Sequence, residues 1–219
     1  MNKLKIAALS LTILAIVIIM CSLPAHDTAS ELKLGDSAAS SGIVVVDGSD
    51  YYTYNINEDN EAVLIQYTGA SSKVTVPSAI DLDERHRVTA IGSRAFADNK
   101  TVKSIVLESS SITLGDYAFT NCQSLESIVF KGTVDSMGQK VFNMCTSLKS
   151  ISISTNGAIS IGMGAFSNCK SLETVKIIGR IDSIGVGAFS NCSSLKNLML
   201  PENVREIGDA AFSYCSSLR

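Results

Sequence analysis

Two spacings of apolar residues alternate along the chain between residues 91 and 219. In the stretch from 114 to 136, one set of apolar positions is spaced as on one side of a helix: Ala118, Phe119, Cys122 and Leu125. The next residues alternate, with Ile128 and Phe130 separated by Val129, and alternation is the spacing of a strand. The pattern predicts a unit that combines a strand with a short helical turn.

This unit is repeated. The phrase Ile-Gly-x-x-Ala-Phe-x-x-Cys-x-Ser-Leu, or a close variant, recurs at intervals of 23 or 24 residues, starting at Ile91, Leu114, Met137, Ile161, Ile184 and Ile207. A fixed period of this length is typical of a solenoid, in which each unit stacks on its neighbours. We therefore expect an α/β solenoid of about six 23-residue repeats over residues 91–219. The last repeat stops before its strand, which favours a truncated or fragmentary sequence.

The residues before the repeats have a different pattern. Residues 43–47, 51–56 and 62–67 are β-branched and aromatic runs, and the polar residues 57–61 separate the last two. Such runs around a polar turn predict a β-hairpin. We expect residues 43–90 to form an N-terminal β cap and the entry to the repeats. Residues 26–42 are small and polar, which predicts a flexible linker.

The first 25 residues have the pattern of an export signal. Lys3 and Lys5 precede an uncharged, mostly apolar run over residues 6–23, and Leu23-Pro24-Ala25 offers a cleavage site. We expect a signal peptide or a membrane anchor, with cleavage favoured and lipidation at Cys21 a weaker alternative. Either outcome predicts a secreted or cell-surface protein, which contacts the membrane only through residues 6–23 if the signal is retained.

Stacking places equivalent residues above one another, and three such columns are expected to have structural roles. The phenylalanines predict a buried column: Phe96, Phe119, Phe142, Phe166, Phe189 and Phe212. The cysteines predict small buried residues: Cys122, Cys145, Cys169, Cys192 and Cys215. Zinc or disulfide roles are disfavoured, because no Cys-x-x-Cys pair occurs and parallel side chains give poor disulfide geometry. Recurring glycines predict tight turns or positive φ: Gly92, Gly115, Gly138, Gly162, Gly185 and Gly208.

A fourth column alternates in charge. Its members are Lys103, Glu126, Lys149, Glu173 and Lys196. Opposite charges on adjacent repeats attract, so the alternation supports the same stacking. Each exposed pair is worth only about 0–1 kcal/mol, so we expect the column to set register more than stability.

Composition narrows the functional classes. The formal net charge is −3 and no basic tract occurs, which disfavours nucleic-acid binding. The two histidines, His26 and His86, both precede the repeats, so the repeats offer no histidine for a catalytic Ser–His–Asp arrangement. We expect a protein that is not an enzyme and uses no cofactor or metal.

The repeated phrase resembles that of the BspA-type leucine-rich-repeat proteins. The stretch from Ala188 to Leu195, Ala-Phe-Ser-Asn-Cys-Ser-Ser-Leu, is a close match, and the resemblance covers about residues 50–219. Asn99 departs from the pattern, because it stands where the first repeat should have its cysteine. The resemblance implies a leucine-rich-repeat solenoid in a surface or secreted microbial protein that takes part in adhesion, aggregation or binding of host proteins.

The exposed side of the main strands is the predicted binding surface. By alternation, these strands present small polar residues, several apolar ones and few charges outward, which suits a wide, flat contact. The candidate binding residues are Val106, Val129, Ser152, Lys176, Met199, Lys131 and Ile178. The expected partner is an extracellular protein or glycan in adhesion. The alternative is a structural surface protein that associates with itself, and strand propensity alone would also explain these residue types.

Overall fold

The computed structural model describes residues 43–47, 50–80 and 86–219. Within these residues the secondary structure is thirteen strands: β1 (Ile43–Asp47), β2 (Asp50–Ile56), β3 (Ala62–Thr68), β4 (Lys73–Val76), β5 (Val88–Ile91), β6 (Ser104–Leu107), β7 (Ser111–Leu114), β8 (Ser127–Phe130), β9 (Thr133–Met137), β10 (Ser150–Ile161), β11 (Thr174–Ile184), β12 (Asn197–Met199) and β13 (Glu206–Ile207). The molecule is a β-solenoid of about six turns with a period near 23 residues.

The first three strands form the cap. β1 pairs with β2, and β2 with β3, both antiparallel, so the predicted hairpin over residues 51–67 is present. Its loop is closed by Asn57, whose N–H donates to the Glu61 carbonyl at 2.9 Å. β3 then pairs in parallel with β5, which joins the cap to the first repeat.

Beyond the cap, the strands stack in two parallel rows, which we call the first and second ladders. Pairing within each row is interrupted once among the described residues, because β10 lies beside β8 and β9 but pairs with neither. The first ladder consists of β4, β6 and β8, continued by the first parts of β10 and β11 and by β12. The second ladder consists of β5, β7 and β9, continued by the last parts of β10 and β11 and by β13. β10 and β11 have 12 and 11 residues, and each is long enough to take part in both ladders.

The segment between the second and first ladders, which we call the turn segment, is not helical. In the second repeat it extends from Gly115 to Leu125 and consists of hydrogen-bonded turns. Its N–H groups alternate between two kinds of partner. Ala118 N–H donates to Gly115 O three residues back, whereas the Phe119 N–H donates to Val141 O in the next repeat, at 2.9 Å.

The prediction of a short helical turn, and with it the α/β class, is therefore wrong for the described residues. Tyr117 and Asn121 have φ values of 59° and 58°, which a right-handed helix does not allow. The apolar spacing reports only which side of the segment is buried. Because every second N–H bonds to the neighbouring repeat, the intrahelical ladder cannot form.

The recurring glycines allow close approach of stacked backbones. A Cβ at Gly185 would lie 2.7 Å from Met163 N, and one at Gly208 would lie 2.5 Å from Val186 N. Positive φ occurs instead two residues later, for example at Gly187 with φ 59°. Gly185 O also accepts the Ala188 N–H, so the tight-turn part of the prediction is confirmed and the positive-φ part is wrong.

The phenylalanine column forms the centre of the core, as predicted. The five rings from Phe96 to Phe189 are at most 1% exposed. Successive centroids from Phe96 to Phe212 are 5.1–5.5 Å apart, with the rings stacked. Tyr67 of β3 extends the column into the cap, with its ring centroid 4.9 Å from that of Phe96. This contact explains how the cap covers the first repeat.

The predicted signal peptide or anchor over residues 1–25 and the predicted linker over 26–42 lie outside the described residues. Among the residues that the structure does describe, no helix has the length and apolar character needed to span a membrane.

Candidate functional site

The outward residues of the first ladder form one surface, which we call the strand face. Alternation separates them from buried neighbours, since Ile151 and Ile153 point inward on either side of the exposed Ser152. Register pairs Val106 with Val129 on adjacent strands, and it pairs Lys176 with both Ser152 and Met199. Equivalent residues on paired strands are therefore side by side, while β8 and β10 are in contact without pairing.

The predicted binding residues all lie on or beside this surface. Val129, Ile178 and Met199 are 45%, 47% and 48% exposed, which is unusual for large apolar side chains in a well-packed protein. Ser152, Lys176 and Lys131 are also exposed, and Val106 is half-buried. Lys131 directly follows β8, and its N–H donates to Leu107 O at 2.9 Å. Their role in binding stays a prediction.

The strand face is held by a buried layer directly beneath it. Ile105, Ile128 and Val175 point inward from β6, β8 and β11, and each is at most 5% exposed. Because these residues are packed inward, the strands cannot shift by one residue, and the residues between them must point outward. The surface is therefore preorganised, and a partner that docks on it does not have to order the backbone.

The alternating charge column borders the strand face. Glu126 lies between two lysines, with Oε1 3.9 Å from Lys103 Nζ and Oε2 4.0 Å from Lys149 Nζ. Glu173 Oε2 is 3.3 Å from Lys196 Nζ. Three of the four adjacent pairs of the column are therefore present, whereas Lys149 and Glu173 form no ion pair with each other in the described structure. All of these side chains are substantially exposed, so the contribution of the pairs to stability is small.

The two ladders differ in charge. The strand face with its bordering column contains six lysines and three glutamates: Lys73, Lys103, Lys131, Lys149, Lys176, Lys196, Glu108, Glu126 and Glu173. Counted in the same way, with one residue on either side of each strand, the second ladder is balanced: Asp135, Asp182, Glu206, Arg87, Arg180 and Arg205. The strand face is thus net positive, although the formal net charge of the whole chain is −3.

A polar groove lies beside the second ladder, and the sequence analysis did not identify it. Its volume is about 800 Å³, and its lining includes Glu61 and Arg87 of the cap and Asp135 of β9. Arg87 Nη2 donates to Glu61 Oε1 at 3.3 Å, and Asp135 accepts hydrogen bonds from the Ser111 and Thr133 hydroxyls. None of the predicted binding residues lines this groove. Glu61, Arg87 and Asp135 therefore already have partners, and Glu108 is the remaining charged residue of the lining.

The cysteines have a structural contact that the sequence did not reveal. Each thiol donates to the phenylalanine carbonyl of the preceding repeat, as Cys169 Sγ does to Phe142 O at 3.0 Å. Burial, the main cause, raises the pKa of Cys192 to about 12 and holds that of Cys169 well above its usual range. The five thiols are free, and the four from Cys122 to Cys192 are buried, as predicted, whereas Cys215 in the last repeat is only partly buried. They are protonated donors that tie repeats together.

Asn99, which stands in the cysteine position of the first repeat, acts differently. Its Oδ1 accepts the N–H groups of Thr101 and Val102 at 3.0 and 2.8 Å. The side chain thus closes its own turn instead of reaching back to a preceding repeat. Asn99 and the cysteines thus both bond to backbone groups: Asn99 accepts from N–H groups of its own turn, and each cysteine donates to a carbonyl of the preceding repeat. The first repeat has no preceding phenylalanine, so the cysteine contact begins in the second repeat.

Comparison with known proteins agrees with this architecture. No curated protein sequence matches the chain. Among solved structures, a leucine-rich-repeat protein of T. pallidum aligns over 77% of this chain and 88% of its own, with 25% identity and a TM-score of 0.58. A leucine-rich cell-surface protein of Faecalibacterium prausnitzii aligns over 83% of this chain and 55% of its own, with 27% identity and a TM-score of 0.57.

The pneumococcal vaccine antigen PcpA shares the fold at 19% identity, with a TM-score of 0.59 over 80% of this chain and 48% of its own. The chain therefore spans about half the length of two of these three proteins. The family described as the BspA type leucine-rich repeat region matches residues 89–219 in six copies. The match covers more than half of the chain and coincides with the six stacked turns, so this protein belongs to the BspA-type leucine-rich-repeat family.

Proposed function

We propose that this protein is a non-enzymatic binding module, secreted or at the cell surface, that holds an extracellular protein or glycan on its strand face. The observation that carries the proposal is the set of exposed apolar side chains on a preorganised sheet: Val129, Ile178 and Met199 are each almost half exposed, with Ser152 and Lys176 between Val129 and Met199. Exposed apolar groups on a flat surface are typical of interaction sites. One similar structure is of a cell-surface protein and another is of a vaccine antigen, which supports the proposed location.

An array of extracellular-matrix proteins and glycans would test this proposal. The purified protein is compared with the double variant Val129→Lys and Met199→Lys, which places charge at two exposed positions of the strand face. We expect binding to fall at least tenfold, because each lysine must be desolvated against an apolar contact. Circular dichroism and urea unfolding check that the variant keeps its fold.

The matched control changes two apolar residues that are equally exposed elsewhere. Met163 and Val186 are 46% and 51% exposed and lie in the turn segments, away from the strand face. The double variant Met163→Lys and Val186→Lys should bind as well as the unchanged protein. Equal loss in both double variants, or full binding by the strand-face variant, would contradict the proposal.

Self-association is a second candidate, and the excess of carboxylates in the polar groove favours it. The positive strand face of one molecule could meet the groove of another, whose charged lining is Glu61, Glu108, Asp135 and Arg87, since complementary charges guide association. This candidate predicts oligomers in sedimentation velocity at low salt that dissociate as sodium chloride is raised. A single monomeric species at millimolar protein concentration and low salt would rule out self-association.

A further inference from the structure

The lysines of the strand face divide into two groups. Lys103, Lys149 and Lys196 belong to the bordering column, and each lies near Glu126 or Glu173. The other three, Lys73, Lys131 and Lys176, are exposed and form no ion pair with any residue in the described part of the chain. The positive charge of this surface is therefore partly uncompensated, and a partner can compensate it.

Two of the uncompensated lysines lie beside the exposed apolar residues. Lys176 is the register neighbour of Met199, and two residues along β11 from it lies Ile178. Lys131 follows Val129 by two residues, on the same side of its strand. Lys73 begins β4, the first strand of the ladder, two strands away from β8. Lysines and apolar side chains are therefore interspersed on one surface, and one partner can contact both kinds of group.

This arrangement fits a protein better than an acidic polysaccharide. The described outward positions of the first ladder carry no aromatic ring on which a sugar could stack, since the inward-facing Phe130 is the aromatic residue of its strands. A sulfated or carboxylated polysaccharide would use the lysines and leave Val129 and Met199 without apolar partners. A protein surface with carboxylates around an apolar contact would use both.

We infer that the strand face docks an acidic protein surface, whose apolar residues contact Val129, Ile178 and Met199 while its carboxylates face Lys73, Lys131 and Lys176. The inference rests on the proposed function and adds the chemistry of the partner. Charged groups mainly accelerate association, whereas apolar contacts determine how slowly the complex dissociates.

Three synthetic probes distinguish the chemistries. They are a random copolymer of glutamate and tyrosine, poly-glutamate of the same length, and heparin. Binding to the immobilised protein is followed by interferometry at 50 and 300 mM sodium chloride. We expect the copolymer to bind at least tenfold more tightly than either other probe and to weaken several-fold at the higher salt, because exposed charges are screened.

Two variants assign the contributions. Lys131→Glu with Lys176→Glu should slow association of the copolymer about tenfold. Val129→Ser with Met199→Ser should accelerate its dissociation by a similar factor and leave the salt dependence unchanged. The control Lys140→Glu with Arg205→Glu makes the same net change of charge outside the strand face, and it should leave both rates within twofold.

If heparin or poly-glutamate binds as tightly as the copolymer or more tightly, the inference is wrong, because Val129, Ile178 and Met199 would then contribute nothing to binding. Unchanged copolymer rates in the Lys131 and Lys176 variant would overturn it as well. If a matrix protein binds in a manner that depends on Val129 and Met199 but not on these two lysines, the proposed function stands and this inference fails.

Discussion

The turn segment and the strand face belong to the same repeats, yet the repeats agree in one and differ in the other. Phenylalanine occupies its turn position in all six repeats, and glycine follows the first residue of the phrase in all six. On the strand face, a single column reads valine, valine, serine, lysine and methionine. Both regions recur in every repeat, but only the turn segment also keeps the same side chains from one repeat to the next.

The difference follows from what touches the neighbouring repeat. In the turn segment the backbones themselves approach closely, so that a Cβ at Gly185 would lie 2.7 Å from a neighbouring nitrogen. On the strand face the backbones are separated by a normal strand spacing of about 4.8 Å, and side chains point away. Repetition in this chain therefore marks stacking, and variation marks the surface that is free to meet a partner.

Removing a central ring should give the largest effect. Phe142→Ala deletes a fully buried ring stacked between Phe119 and Phe166, at 5.2 and 5.3 Å. We expect a loss of about 3–5 kcal/mol in the free energy of unfolding, measured by urea titration. Ser152→Ala on the strand face should change it by less than about 0.5 kcal/mol. If both variants lost a similar amount of unfolding free energy, the turn segment and the strand face would not differ in their contribution to stability.

A methyl group added at a stacking glycine should have the next largest effect. In Gly185→Ala the new Cβ would meet three backbone atoms within 2.9 Å, so adjacent repeats must separate, at a cost of about 1–3 kcal/mol. Gly157, in β10, has no atom within 4 Å of the same position. Gly157→Ala should be neutral or stabilise by up to about 1 kcal/mol. Thermal unfolding of both variants is the measurement. A loss of stability in Gly185→Ala alone would show that the close approach of the backbones requires glycine, whereas a similar loss in both would show that glycine is needed for another reason.

Alkaline titration tests the buried thiols. The pKa of Cys192 is raised by burial to about 12, while in the unfolded chain a thiol ionises near pH 8.5. The unfolded state therefore loses its proton first, and the stabilisation that this thiol contributes disappears as pH rises from about 9 to 12. Each such thiol contributes a slope of about 1.4 kcal/mol per pH unit.

The variant Cys192→Ala should have a slope smaller by that amount over the same pH range, whatever its stability at neutral pH. The neighbouring variant Ser193→Ala removes no titrating group and should keep the slope of the unchanged protein. An identical slope for Cys192→Ala would show that this thiol is already ionised or accessible in the folded state.

The smallest effect is expected from backbone conformation. Met144 has φ 62°, and the equivalent positions of three other repeats carry asparagine at similar angles: Asn121, Asn168 and Asn191. Asparagine tolerates this conformation better than methionine does, so Met144→Asn should stabilise by up to about 1 kcal/mol. Met163→Asn changes an equally exposed methionine without a positive φ and should bring no gain. Precise urea midpoints can resolve this difference.

The period and the buried phenylalanines could be predicted from the sequence, because they depend on which residues recur. The outward columns could be predicted because inward and outward residues alternate along a strand. The turn segment could not, because apolar spacing indicates burial and does not indicate where the N–H groups bond. The bond from each cysteine thiol to a phenylalanine carbonyl also has no signal in spacing. The polar groove brings Glu61 of the cap near Asp135, and only the register of β3, β5, β7 and β9 makes them neighbours.

The alternating hydrogen bonds of the turn segment have a mechanical consequence. Tyr117, Phe119 and Asn121 each donate to the next repeat, so detaching one repeat along the axis breaks these three bonds together with its strand pairs. A molecule stretched end to end should then yield in discrete steps, one repeat at a time. With 23 residues per repeat, each step should lengthen the chain by about 80 Å. A solenoid built in this way lengthens under load while the remaining repeats keep their strand face intact.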